Sequence, residues 1–286
     1  MRNLTTSLRH LSESLTPILS SGSRGWSALF LLSVGLTVGW TGIVKAQSPE
    51  TAPPQLQTML TQIDAAANRK DVKGVMQFYG ANFKNSDNLN RSALEKALTQ
   101  LWQRYPQLNY TTQLQSWKND GNAIVAETVT TITGTRQSAG MTMKLESTLR
   151  SRQRIENQKI VQQEILGEKT KQMSGANPPT VEVQLPNQVR PGQEFNFDVI
   201  VKEPLGEDLL LGAAMQDTVK PNLLSKPSDF KLNLLPAGGI FKLGKAPTKP
   251  EDHWLSAVLV RRGGVTMVTQ RLQVVNQPSS ANKSAQ

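Results

Sequence analysis

Cysteine is absent from this chain of 286 residues, and histidine occurs only as His10 and His253. Without thiols there are no disulfides, thiolate zinc sites, iron–sulfur clusters or cysteine nucleophiles. A histidine-centred metal site or a Ser-His-Asp triad needs imidazoles that converge in space, which two scattered residues do not promise. Neither a metal nor a cofactor is therefore expected. No run of Lys and Arg is interleaved with aromatics, so nucleic acid is set aside as a partner. Acids are scarce relative to bases: 22 Asp plus Glu face 32 Lys plus Arg, a formal charge of +10. Such an excess favours loose attraction to anionic surfaces.

One long hydrophobic run is present. From Trp26 to Val44 the chain carries no charge, with Arg2, Arg9 and Arg24 before it and Lys45-Ala46 after it. A basic start, an apolar core and a small residue before a polar, Pro-rich segment (QSPETAPPQ) compose a secretory signal peptide cut after Ala46. The run also reaches bilayer-spanning length, so an uncleaved anchor formed by residues 26–44 is the alternative. Both place everything downstream outside the cytoplasm, in a periplasm or equivalent space, because the arginines stay inside. With no cysteine after the run, a lipid anchor is not expected. The reading divides the chain into a leader (1–46), a linker (47–52), a first domain (53–170), a linker (171–179), a second domain (180–276) and a disordered tail (277–286).

In the first domain, Leu56, Met59, Leu60, Ile63 and Ala67 recur at helical spacing. Asp71 is placed to cap a short helix ending at Gly80, and Ser92-Ala-Leu-Glu95 reads as a capping box for a third helix that stops at Pro106. Alternation then predicts strands over about 107–117, 122–135, 139–156 and 159–170, the last two joined by a turn at Glu156-Asn-Gln-Lys159. Helices followed by an antiparallel meander make an α+β unit in which a curved sheet wraps the helices.

The stretch Asp71-Val-Lys-Gly-Val-Met-Gln-Phe-Tyr79-Gly-Ala-Asn-Phe83, the helix Arg91–Tyr105 and the ending Arg154-Ile-Glu-Asn-Gln-Lys-Ile160-Val-Gln-Gln-Glu-Ile165 resemble the nuclear transport factor 2-like (SnoaL-like) superfamily. The resemblance covers roughly residues 53–170. It implies a cystatin-like cone with a small apolar pocket between helices and sheet, and a family that includes isomerases, dehydratases, hydrolases and non-catalytic binding domains. Tyr79, Trp102, Tyr105, Met143 and Leu145 are the expected pocket lining.

Catalytic relatives place an acid in that pocket. Here the candidates are Glu127 with Tyr110 or Tyr79, and more distantly Asp64. On 139–156 the odd positions are apolar and the even ones charged, so Glu146 faces away from the pocket. On 122–135 the two parities compete, leaving Glu127 either a buried acid or a surface partner of basic neighbours. Asp64, next to core-facing Ile63, is expected in solvent. Arg150, Arg152 and Arg154 share a strand face that either contacts an anion or is simply a solvated outer face.

Beyond 180 the pattern is all-β. Phe195, Phe197, Val199 and Val201 alternate with polar residues, and Gly263-Gly264 is expected to turn a hairpin. About seven short strands give the count of an immunoglobulin-like β-sandwich. His253 is expected as an ordinary half-exposed side chain. These readings add up to an exported, non-catalytic binding or accessory protein, whose partner is an envelope protein or a small apolar ligand. The rival readings are a small-molecule isomerase, dehydratase or hydrolase using a pocket carboxylate, and a structural homodimer joined through the first domain's outer sheet face.

Overall fold

The computed structural model describes residues 46–138, 140–219, 231–235 and 238–277. The apolar run 26–44, residues 220–230 and the expected tail from 278 lie outside the described residues.

Three helices precede the meander. Helix α1 (Pro54–Asn68) starts on a proline, whose missing N–H costs nothing at a helix start, and buries Leu56, Met59, Leu60, Ala66 and Ala67. Helix α2 (Val72–Met76) is capped by Asp71, whose side chain accepts from the Gly74 N–H. It ends four residues before Gly80, because Tyr79–Asn85 is already a strand, β1, that alternation did not reveal. Helix α3 (Arg91–Arg104) is capped by Asn90, which accepts from Ala93 N–H, and not by the Ser92 box. Strands β2 (Gln107–Asp120), β3 (Ala123–Ser138), β4 (Met141–Glu156) and β5 (Lys159–Gly175) then run antiparallel in sequence order. The β4–β5 turn falls where expected, with Asn157 and Gln158 at φ of 48° and 58°.

The second half comprises β6 (Val181–Gln184), β7 (Gln188–Val189), β8 (Glu194–Val201), β9 (Leu211–Thr218), β10 (Asn233–Leu234), β11 (Gly239–Lys245), β12 (Asp252–Arg261) and β13 (Gly264–Val274). A three-stranded sheet, β11-β8-β6, faces β9, β12 and β13 across a core of Phe195, Phe197, Val199, Ile240, Leu255, Leu259, Val268 and Leu272. The β12–β13 hairpin pairs Arg261 with Gly264, so its two-residue turn is Arg262-Gly263, one position before the expected glycine pair.

Both expected linkers are structured. Residues 171–175 continue β5, and Gln47 makes an antiparallel bridge to Trp117 (2.8 and 3.2 Å) before a single 3-10 turn leads to buried Ala52. In consequence the halves share one ten-stranded sheet, whose main path is β10-β9-β12-β13-β5-β4-β3-β2. Strand β5 is the join. Its one edge pairs with β4 along its length, while the other edge holds β1 at Ile160–Gln163 and β13 at Lys169–Gly175.

Candidate functional site

The concave face of the meander is where the helices pack. On β3 the even set faces inward: Ile124, Ala126 and Ile132 join the helix cores, and Thr128 is fully buried. On β4 the odd set does so, with Met143, Leu145, Ser151, Gln153 and Ile155 buried and Lys144, Glu146, Arg150 and Arg152 exposed. The parity of β3 was undecided in sequence because threonine fills both its sets. Pairing decides it, since Thr128 Oγ1 meets Ser151 Oγ at 3.2 Å and Thr130 Oγ1 meets Thr112 Oγ1 at 3.0 Å.

Of the expected pocket residues, Trp102, Tyr105 and Leu145 share one apolar cluster, with Tyr79 packed against it. Trp102, Tyr105, Met143 and Leu145 are buried in packing. Trp102 Nε1 donates to the Tyr110 hydroxyl at 2.9 Å, and the Tyr105 hydroxyl donates to Gln172 at 3.1 Å. Tyr79 stacks edge-on against Phe83, 4.9 Å between centroids, and borders an open cleft of about 640 Å³ with Met76, Gly80, Arg91 and Lys159. Burial pushes the Tyr79 phenol up to about 12. Burial likewise raises Tyr105 against nearby Arg136 and Arg104, and raises Tyr110 against the hydrogen bond from Trp102. All three remain protonated phenols at neutral pH.

Between the apolar clusters runs a neutral polar row that sequence reasoning missed: Thr128, Ser151, Gln153 and Gln163, all buried. Gln153 and Gln163 each direct Nε2 to Ser151 Oγ at 3.4 Å, and Gln153 Oε1 has no hydrogen-bond partner among the described residues. Their signal in sequence was weak because an amide on a strand reads as a solvated residue.

Glu127 is on the opposite, convex face. Its carboxylate accepts from Arg152 at 2.7 Å and from Arg150 at 3.1 Å. Partial burial raises its pKa, but the hydrogen bonds from Arg152 and Arg150 outweigh that and hold it below the ordinary carboxylate value. Neither Tyr79 nor Tyr110 is among its hydrogen-bond partners here. Arg152 also reaches Glu164 at 2.7 Å, and Arg154 pairs with Glu156 at 2.7 Å and with Asp120. Each arginine of the expected anion-contact face thus already holds a carboxylate. Asp64, expected in solvent, instead accepts from the Thr112 main-chain N–H (2.6 Å) and hydroxyl (2.7 Å).

A second constellation lies at the join. Between β1 and β13 the edge of β5 is left without a strand, and polar side chains fill the interval. Ser86 Oγ accepts from Ile165 N–H at 3.0 Å, and Gln273 Nε2 donates to Ile165 C=O at 3.0 Å. Beside them sits Arg271, whose side chain is 1% exposed; it bonds Asp87 through both terminal nitrogens (2.9 and 2.8 Å), Asp252 at 2.8 Å and Glu168 at 3.3 Å. Its guanidinium lies over Trp254, which itself donates to Glu168 at 3.0 Å. Burial works against the charge, but these carboxylates outweigh it and raise the Arg271 pKa above its ordinary value. His253 is buried, not half-exposed, because β12 lies between β9 and β13; its Nδ1 lies 3.2 Å from Gln216 Nε2. Among the described residues no three His, Cys, Asp or Glu side chains are placed to hold a metal ion, and no helix is long and apolar enough to cross a membrane.

Residues 176–275 match a family described as a domain of unknown function (DUF8623). No curated protein matches the sequence. Among solved structures, a Bdellovibrio bacteriovorus protein, Bd1075, is 15% identical over 38% of this chain and 38% of its own length, with a TM-score of 0.28. An uncharacterised cystatin-fold protein from Novosphingobium aromaticivorans is 13% identical over 40% of this chain and 98% of its own, with a TM-score of 0.28. A putative SnoaL-like polyketide cyclase from Shewanella putrefaciens CN-32 is 14% identical over 40% and 90%, with a TM-score of 0.29. The chain therefore spans well under two thirds of the first of these proteins. Likeness at such scores carries no argument about activity, and the architecture stands on the ladders and cores described above.

Proposed function

We propose that the chain is an exported, non-catalytic binding protein, made of a nuclear transport factor 2-like half and an immunoglobulin-like half held as one body. The carrying observation is the fate of the acids. The concave interior is lined by apolar, hydroxyl and amide side chains with Arg136 over Tyr105, while Glu127 is spent on Arg150 and Arg152 outside and Asp64 on Thr112 at the sheet edge. A general acid or base needs a carboxylate or imidazole within reach of a bound substrate, and the candidates weighed for that role are engaged elsewhere. The packed cores around Trp102 and Leu56 favour a macromolecular partner over a small apolar ligand. Export is supported by the basic, apolar and small-residue segments of 1–46.

Two measurements test this reading. Mass analysis of the protein recovered from the extracytoplasmic fraction is expected to give a chain starting at Gln47; retention of 1–46 would favour the anchored form. Assays of epoxide hydrolysis, ketone isomerisation and dehydration are expected to show no turnover. Turnover abolished by Tyr110→Phe or Glu127→Gln would overturn the non-catalytic assignment.

A further inference from the structure

Strand β11 is an outer strand that pairs, among the described residues, only with β8. The ladder is regular from Gly239↔Ile200 to Lys245↔Glu194, and the flanking bonds Val201 N–H to Gly238 C=O and Ala246 N–H to Gln193 C=O fix its phase. In an antiparallel pair, alternate residues turn both main-chain groups toward the neighbour. Here the even residues of β11 face β8. The N–H and C=O groups of Gly239, Phe241, Leu243 and Lys245 are therefore directed to the open edge.

The side chains on that edge are unusual for a surface. Ile240 points into the core, whereas Phe241 is 50% and Leu243 71% exposed, two residues apart on one face. Lys242 and Lys245 beside them are exposed. An uncovered strand with apolar side chains is a template for another strand.

Charge decides which strand. Two copies of β11 pairing antiparallel so that Phe241 meets Leu243 would set Lys242 directly against Lys242, and like charges in that position repel. Registers that part the lysines also uncouple Phe241 from Leu243. We infer that β11 receives an extended segment of a partner protein, with apolar side chains at alternate positions and carboxylates between them, added as a further antiparallel strand. The apolar positions cover Phe241 and Leu243, and a carboxylate lies opposite Lys242. The same lysine that rejects a second copy selects the acidic partner. This deepens the binding-protein reading and rests on it; the two fail separately, because a peptide titration reads β11 and the turnover assays read the cone.

The test is fluorescence polarisation with the full chain and two labelled nonapeptides, one alternating valine with glutamate and one alternating valine with lysine. The glutamate peptide is expected to bind, with a Kd tighter than about 1 mM, and the lysine peptide about tenfold more weakly or not at all. Lys242→Glu is expected to reverse that preference. Leu243→Pro removes an N–H that β8 does not use, and is expected to abolish binding while leaving the circular dichroism unchanged. Should Leu243→Pro disturb the fold, Lys242→Glu alone decides. Equal binding of both peptides, no saturable binding, or insensitivity to Lys242→Glu would overturn the proposal. So would sedimentation showing a wild-type dimer that Leu243→Pro dissociates, since the edge would then belong to a second copy.

Discussion

The edge at β2 and the edge at β11 are finished in opposite ways. Along β2, Asn68 exchanges two hydrogen bonds with the main chain of Tyr110 (3.0 and 2.6 Å), Asp64 takes the Thr112 N–H, and Gln47 bridges Trp117. Along β11 no such cover is described, and large apolar side chains are held out to solvent. The contrast teaches how a helix seals a sheet. Four helical residues rise about 6 Å, close to the roughly 6.6 Å covered by two strand residues. Asp64 and Asn68 therefore stand level with alternate edge residues of β2. A strand lacking such a helix keeps its main-chain groups for a visitor.

The contrast can be broken or sharpened by substitution. The largest effect is expected where an interrupted edge is closed by charge: Arg271→Ala strands three carboxylates and is expected to cost about 3–5 kcal/mol in urea unfolding. Asp64→Ala, which leaves the Thr112 N–H and hydroxyl without their acceptor, is expected to cost about 1–3 kcal/mol by the same measurement. Asn68→Ala is expected to cost about 1 kcal/mol and to speed hydrogen exchange at the Tyr110 amide. The convex face supplies a milder comparison. Because folding holds the Glu127 pKa below its ordinary 4.5, its pairing contributes stability above that value and loses it as pH falls through the folded pKa. The difference in urea midpoint between wild type and Glu127→Gln is thus expected to be present at pH 7 and to vanish under acid. Phe241→Ser should change stability by less than about 0.5 kcal/mol, since its ring is half in water already. A large loss there would mean that the ring packs within the fold, and the two edges would no longer differ in kind.

Local pattern revealed what local chemistry controls. The apolar stripe of α1, the parity of β4 and the Asn157-Gln158 turn were all legible, because each depends on neighbours in sequence. The stretch Lys171-Gln-Met-Ser-Gly175 looked like a linker because it has no period. It is a strand because β4 and β13 flank it, and ladder hydrogen bonds on both sides substitute for an apolar face. Asp64, Arg271 and His253 were misjudged or overlooked for the same reason: each polar group is engaged by an element distant in sequence, Asp64 half-buried against Thr112 and the other two fully buried. At the candidate site, the burial of Trp102, Tyr105, Met143 and Leu145 was legible from periodicity, but the buried polar row of Thr128, Ser151, Gln153 and Gln163 was not, and whether the interior encloses a space depends on packing volumes that periodicity does not encode. The direction of Glu127 hung on β3, where threonines fit either face and only the pairing with Ser151 and Thr112 discriminates.

Strand β5 has a mechanical meaning. Two domains on a tether take up tension as slack, and the first pull only straightens the connection. In this chain the would-be tether is itself bonded on both sides, to β4 and to β13. A load that pulls the two halves apart therefore meets no slack before the β5–β13 rungs must rupture.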